Sequence, residues 1–367
     1  MTWPAQRDHF EGFHRMIDQQ KAFLRRLISV PGPSGFEQRA SAVWRDEAGT
    51  FADSVEWDVI GNSFARLTKE DAPTVIIEGH IDEIGFIVTY IDDDGFIWFD
   101  KIGGWDDQVV VGQRIVLAGE NGDVQGVIGK KAAHLLKPAD REKVTQVKDL
   151  WIDIGAANRA AAEEKIAVGD PAVIDVAPVE LTDDLWASRS MDNRVGAFVA
   201  LEALRLLSAD RPAANVYAVA ASQEEIGLVG ATTFSFRHAP FVGIAIDVTH
   251  ATDYPGADPK ADNKIRLGGG PVLTRGAVIN PAVFKGLRDA AKRLEIPFAV
   301  QAAARTSGTD ADAMTRSGAG VAAGLVSIPN RYMHSPNEII SLYDLESAAT
   351  VIAEFTRTVT ADSDFRR

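Results

Sequence analysis

Apolar positions Phe10, Phe13, Met16, Ile17, Phe23, Leu24 and Leu27 recur at helical spacing and predict a helix over residues 5–30, ended by Pro31-Gly-Pro-Ser-Gly35. A second helix is expected from Glu37 to Ala48. The texture then changes. Thr74–Glu78 (TVIIE) is a short β-branched run of the kind a buried strand shows. Between residues 84 and 178 the pattern is strand and turn (FIVTYI, FIWFD, RIVLAGENGDVQGVIG, LWIDIGA, PAVID), punctuated by Asp-Gly and Asn-Gly, with one short helix near Ala156–Glu164.

After residue 185 helical and extended patterns alternate. Met191–Leu207 reads as a helix, NVYAVAAS as a strand, EIGLVGATTF as a turn into a helix, and VGIAIDV and PVLTRG as strands. A helix at Pro281–Leu294, the strand PFAVQAAA, the helix ADAMTRSG, the strand GVAAGLVSIP and a helix over Ser341–Thr360 complete the chain. This alternation predicts an α/β fold with a mostly parallel central sheet covered by helices on both faces. A β-rich insert over residues 87–178 divides that domain into residues 1–86 and 179–367.

Composition narrows the chemistry. A chain of 367 residues, 46% hydrophobic and 25% charged, is ordinary globular protein long enough for two domains. It holds no apolar run near the ~20 residues of a membrane helix, and MTWPAQRDHFEGFHRM has no apolar stretch of the secretory kind, so a cytoplasmic protein is expected. The absence of cysteine leaves only His and carboxylates for a transition-metal site. A net charge of −14 disfavours nucleic acid as a partner.

Five segments place His or acidic residues near predicted strand ends, where open α/β sheets bind ligands. In Gly79-His80-Ile81-Asp82-Glu83, a carboxylate beside a ligating His can accept its second N–H, although a lone His there is also compatible with a structural or surface role. Asp192 in Ser190-Met-Asp-Asn-Arg194 reads either as a helix N-cap or as a carboxylate bridging two metals. In Gln223-Glu224-Glu225, adjacent acids point apart, so one can bind metal while the other serves as general base; two solvated acids opening a helix is the plain alternative. Asp247 closes the apolar run VGIAI, where an unpaired carboxylate is costly; His250, three residues on, reads as a supporting or surface residue. His334, in RYMHSPNE, lies in a loop from which it can reach a cleft. Jointly these segments supply two His and three carboxylates, plus a spare Glu, an inventory that suits two zinc-like ions sharing one carboxylate.

This ordered set resembles the co-catalytic zinc peptidases. The 112-residue gap from His80 to Asp192, filled by the β-rich insert, resembles the tetrahedral (TET) metallo-aminopeptidases, which include glutamyl and deblocking aminopeptidases and endoglucanase-like proteins. SVPGPSGFE, HIDEIGFIV, IGKKAAHLL, LWIDIGA, MDNRVGA, SQEEIGLVGA, DVTHATDYPG, LGGGPVL, TSGTDAD and IPNRYMHSPNE carry the resemblance over roughly residues 25–355. It implies a zinc-peptidase-like catalytic domain and a barrel-like insert used for dimerisation. It also implies two divalent ions (zinc or cobalt, with manganese an option), Asp192 bridging them, His80 and Asp247 completing one site and Glu225 and His334 the other. Glu224 would be the general base, Asp82 would orient His80, and the Asp192–Asn193 peptide bond would be cis.

The implied reaction is removal of the N-terminal residue from short peptides. The implied assembly is a homo-oligomer, up to a tetrahedral dodecamer built from dimers, which the long extension at residues 1–18 could alter. The Gly268-Gly269-Gly270 loop and Thr306–Asp310 are expected to line the specificity pocket, with a plain tight turn as the alternative for the glycines. A related amidohydrolase or deacylase acting on N-acyl substrates would use the same metals and is the alternative activity. A glycosidase has no use for this His and carboxylate set.

Overall fold

The computed structural model describes residues 16–258, 260 and 263–367. The expected helical positions Phe10 and Phe13, and most of the extension at residues 1–18, lie outside them. Among the described residues the first helix is Asp18–Ser29, where the Gln20 side chain accepts the Ile17 N–H at its start. Its face of Phe23, Leu24, Leu27 and Ile28 is buried, each side chain contributing roughly 1.5–3 kcal/mol.

The core is an eight-stranded sheet in the order Ser54–Trp57, Ser63–Leu67, Asn215–Ala221, Thr74–His80, Val242–His250, Ala322–Asn330, Val272–Gly276, Ala299–Ala303. The four strands from Asn215–Ala221 to Ala322–Asn330 are mutually parallel, while the first two pair antiparallel at one edge. Those two edge strands are absent from the sequence reading: SVEW and SFARL are short and interrupted by polar residues. A three-stranded sheet of Val179–Glu180, Leu185–Ser188 and Glu338–Ser341 was likewise not expected.

Two glycines show that helices cover both faces. Gly243 is paired with Ala323, so Gly243 and Gly324 project to opposite sides. A side chain at Gly243 would meet Met314 of helix Asp310–Arg316, whereas one at Gly324 would meet Val283 of helix Pro281–Arg293.

Between the first and second parts of this sheet, six antiparallel strands from Gly85–Ile91 to Pro171–Ile174 close into a barrel. Alternate residues, among them Phe86, Val88, Ile97, Phe99, Ile115 and Leu117, fill its interior as a separate hydrophobic core. The expected short helix is Arg159–Glu163; helices Asp107–Val110 and Pro138–Arg141 are additions too short to leave a periodic signature. Among the described residues no helix is long and apolar enough to cross a membrane.

Candidate metal centre

The sheet register brings the first residues together. His80 ends strand Thr74–His80 and lies beside Ala221 of the neighbouring strand. On the other side Ala245 pairs with Glu78, so Asp247 reaches the level of His80. Contrary to the sequence expectation, Asp247 does not close its strand. The strand continues to His250, because pairing with Ala322–Asn330 extends through Asn330. His250 itself is exposed.

Asp192 arrives on a helix held unusually close to the sheet. A Cβ at Gly79 would lie 2.5 Å from the Ala197 nitrogen, so glycine at 79 lets helix Met191–Ala209 rest directly on the strand that ends in His80. The first turn of that helix is irregular at Asp192 and Asn193, and the peptide bond joining them is cis. Capping falls to Asn193: its Oδ1 accepts the Gly196 N–H (3.1 Å), while its Nδ2 donates to the Ile246 carbonyl (2.7 Å), beside Asp247. The Asp192 carboxylate is left free to face the imidazoles.

Asp192 divides its two oxygens between two histidines. Oδ1 is 3.3 Å from His80 Nε2, and Oδ2 is 3.3 Å from His334 Nε2. Glu225 Oε1 lies 3.5 Å from His334 Nε2, and Glu224 Oε2 and Asp247 Oδ1 lie 3.7 and 3.9 Å from His80 Nε2. Two triads, His80–Asp192–Glu225 and His80–Glu224–Asp247, each have donor atoms within 4.8 Å of one another. The seventh expected residue, Asp82, stands behind His80, its Oδ1 3.3 Å from Nδ1. Asp82 also accepts the backbone N–H groups of Glu224 and Glu225 (3.1 Å each) and the Ser34 hydroxyl, so one carboxylate orients His80 and fixes the double-glutamate turn.

The electrostatics of the cluster call for cations. Burial, reinforced by Asp247, Asp310 and Glu225, pushes the Glu224 carboxyl up to about 10. Burial likewise raises Asp247 and Glu225. Hydrogen bonds to Asp192 and then Glu225 raise His334 to about 11. For His80, burial works against the charged form, but Glu224, Asp192 and Asp82 outweigh it and raise the imidazole well above its ordinary value. Three carboxylates are thus biased toward their protonated forms and two imidazoles toward the imidazolium, while, against its burial, the two histidines hold Asp192 below the usual carboxylate range. Divalent ions would replace these protons, and the N and O donors suit zinc- or cobalt-like ions.

Several supporting residues carried no separate role in the sequence reading. Glu83 is buried and accepts hydrogen bonds from Arg189, from Arg194 (2.8 Å) and from the Gly32 N–H (3.1 Å). Arg194, fully buried, also donates to the carbonyls of Leu27, Val30 and Ile81. The run Asp192-Asn193-Arg194 therefore serves the cluster, the adjacent strand and the N-terminal helix with successive side chains. The barrel contributes too. A Cβ at Gly104 would stand 3.1 Å from His334 Nδ1, and one at Gly103 would stand 3.3 Å from Glu225 Oε2. Trp105 anchors this turn by stacking on Phe86 (5.0 Å) and donating to the Gly85 carbonyl (3.1 Å).

The two expected pocket segments separate. Gly269 and Gly270 line a cavity of about 280 Å³ with Lys264, Arg266, Val272 and Phe298, and Asp344 accepts the N–H groups of Gly268 and Gly270. Neither Thr306–Asp310 nor any of the clustered His and acidic residues lines that cavity. Asp310 instead faces Glu78, both carboxylates buried, and adds its charge to that felt by Glu224 and Asp247.

A sequence profile of the M42 glutamyl aminopeptidases matches residues 61–351. The chain belongs to the M42 aminopeptidase family. This M42 chain is 36% identical to the lysyl aminopeptidase of Pyrococcus furiosus over 341 residues, covering 90% of this chain and 94% of that one. Its fold is similar to that of a TET aminopeptidase from a marine-sediment thaumarchaeote, with a TM-score of 0.90, 32% identity and coverage of 94% and 98%. It is similar also to the Pyrococcus horikoshii TET1 peptidase, with a TM-score of 0.82, 29% identity and coverage of 93% and 100%; that protein can assemble into a tetrahedron or a large octahedral shell. The resemblance read from the motifs, and the fold class with it, are thereby established.

Proposed function

We propose that this M42 aminopeptidase is a dinuclear metalloenzyme that releases the N-terminal residue of short peptides. His80 and Asp247 would hold one divalent ion, Glu225 and His334 the other, and Asp192 would bridge them. The observation that supports this most directly is the division of Asp192, one oxygen 3.3 Å from each imidazole Nε2. Zinc and cobalt fit the donors best, and manganese remains compatible. Bound there, the ions supply Lewis acidity, polarising the scissile carbonyl and acidifying water.

The remaining work belongs to side chains. Asp82 fixes the His80 tautomer by accepting from Nδ1, which turns Nε2 toward the cluster. Glu224 takes the proton of the attacking water and returns it to the leaving amine. By distance alone Glu224 and Asp247 have similar claims on His80 Nε2; the order of the motifs, which resembles that of the TET enzymes, supports reading Asp247 as ligand and Glu224 as base. In the same reading the protein is a cytoplasmic homo-oligomer, with a tetrahedral dodecamer as the expected closed form.

The test strips the protein with chelator, restores zinc, cobalt or manganese, and compares aminoacyl chromogenic amides with their N-acetylated forms. Metal-dependent turnover of the free amines alone is the expected result. Turnover of the acetylated forms would assign the deacylase activity instead, and inactivity with every metal would remove the proposed reaction.

A further inference from the structure

Glu338 lies four residues beyond His334 and was not among the expected site residues, yet its carboxylate joins the two segments that face each other across the cluster. Its Oε2 accepts the Asp192 backbone N–H at 3.0 Å, and its Oε1 accepts the His334 backbone N–H at 2.9 Å. The side chain is buried, with 2% of the residue exposed.

The surrounding backbone explains how this is possible. Glu338 opens strand Glu338–Ser341 and pairs with Ser188, the last residue of the strand that leads into Asp192. On the other side, Arg331 and Ile339 exchange backbone hydrogen bonds of 3.0 Å each and close the loop that carries His334. Both delivered segments need restraint: Ser190 and His334 have φ of 60° and 59°, in the left-handed region that residues with a side chain seldom occupy. Such a conformation persists only where neighbouring groups hold it.

We propose that Glu338 is a positioning residue that sets the separation between the two metal poles, holding the bridging carboxylate and the loop histidine in register through one rigid group. This rests on the dinuclear reading above. A residue that merely closed the loop would need only the His334 bond. The second bond, to Asp192 across 146 residues of chain, joins the loop to the bridging ligand.

Glu338→Gln tests this. The amide keeps one acceptor oxygen but turns an N–H₂ toward the other backbone N–H, so one of the two bonds is lost while size is preserved. Chelator-stripped full-length protein is titrated with Co²⁺, followed by visible absorbance and metal analysis, and the melting temperature of the metal-free form is recorded in parallel. The wild type is expected to take up two ions. In Glu338→Gln one ion should bind about 10- to 100-fold more weakly, as when the partner that orients a metal ligand is removed, while the other keeps its affinity.

Glu338→Asp, which retains two acceptors but falls short by one methylene, should show the same unequal loss in milder form, and it carries the test if the amide variant does not fold. Two ions bound with wild-type affinities in both variants would overturn the proposal. So would an equal weakening of both ions that follows a drop in metal-free melting temperature. A wild type that binds fewer than two Co²⁺ would instead overturn the dinuclear reading beneath it.

Discussion

The two histidines of the cluster are held in different ways. His80 ends a central strand with only 2% of its side chain exposed, between two parallel neighbours and against a helix that a glycine contact presses onto the sheet. His334 is 35% exposed and sits on a loop at positive φ, held by the Glu338 carboxylate and by the Gly103–Gly104 turn of the barrel. The first pole is a by-product of the fold's main sheet. The second is assembled from three segments with little regular structure of their own. One pole should therefore fail only when the fold fails, while the other can be loosened without unfolding the protein.

The largest expected effect belongs to the residue common to both poles in function. Glu224→Gln should lower kcat by about 10²- to 10⁴-fold, the usual contribution of a general base, with two ions still bound by metal analysis. Near-normal turnover would exchange the roles of Glu224 and Asp247. Next comes the scaffold beneath His80. Arg194→Met removes one of the two guanidinium partners of Glu83, leaving Arg189, and takes a donor from the carbonyls of Leu27, Val30 and Ile81. It should cost about 3 kcal/mol in urea unfolding of the metal-free protein. A loss below ~1 kcal/mol would show that the His80 pole does not depend on this network.

Metal binding itself should depend on pH in a direction the geometry fixes. Without metal, Glu224 and His334 retain protons at neutral pH, with values of about 10 and 11. Ligation by His334 requires its neutral form, and ions beside Glu224 favour the carboxylate. Binding therefore releases protons, and apparent affinity rises with pH by up to about tenfold per unit for each proton released. Calorimetry in buffers of different ionisation enthalpy between pH 6 and 8 reads this number directly; affinity independent of pH would mean that the free site is already deprotonated.

Much of this was legible in the sequence, and the omissions have a common cause. The parallel strands were visible because TVII, VYAVAA and VGIAI are buried on both faces and so read as apolar runs. His80, Asp247 and the Glu224–Glu225 pair were visible because each interrupts, ends or closely follows such a run with a group that is costly to bury, whereas Asp192 and His334 stood out mainly through the motifs that carry the resemblance. What escaped depends on contacts between distant segments. The strands Leu185–Ser188 and Glu338–Ser341 are four residues each and make sense only as partners. Glu338 reads as one more loop acid until that pairing sets it under Asp192. Gly79 appears as a permissive residue until the backbone of helix Met191–Ala209 is found against it. Gly103 and Gly104 carry no signal at all that a barrel turn touches a histidine some 230 residues away.

The contrast between the poles is tested most directly by removing each imidazole. His80→Ala should cost about 1–3 kcal/mol of metal-free stability, since it opens a space among buried acids at the sheet rim, whereas His334→Ala, on a part-exposed loop where solvent screens its ion pairs with Asp192 and Glu225, should cost less, about 1 kcal/mol. Each variant should lose one of two ions. Equal stability costs would remove the distinction between a pole inherited from the sheet and one built from loops.

The smallest effect comes from the barrel. In Gly104→Ala the new methyl would stand 3.1 Å from His334 Nδ1 and 3.2 Å from Cε1, close enough to displace the ring by a few tenths of an ångström but not to expel it. A shift of that size should weaken the His334-side ion by about 1 kcal/mol, roughly fivefold, and leave the His80-side ion unchanged. Because Trp105 fixes this turn to the barrel core, the same perturbation should follow from loosening Trp105 instead, as in Trp105→Leu, even though that side chain is directed into the barrel interior. If Gly104→Ala weakens the ion and Trp105→Leu does not, the turn acts as a local wall. If both do, the barrel's packing reaches the site, and conditions that reshape the barrel would be felt at His334 before they are felt at His80.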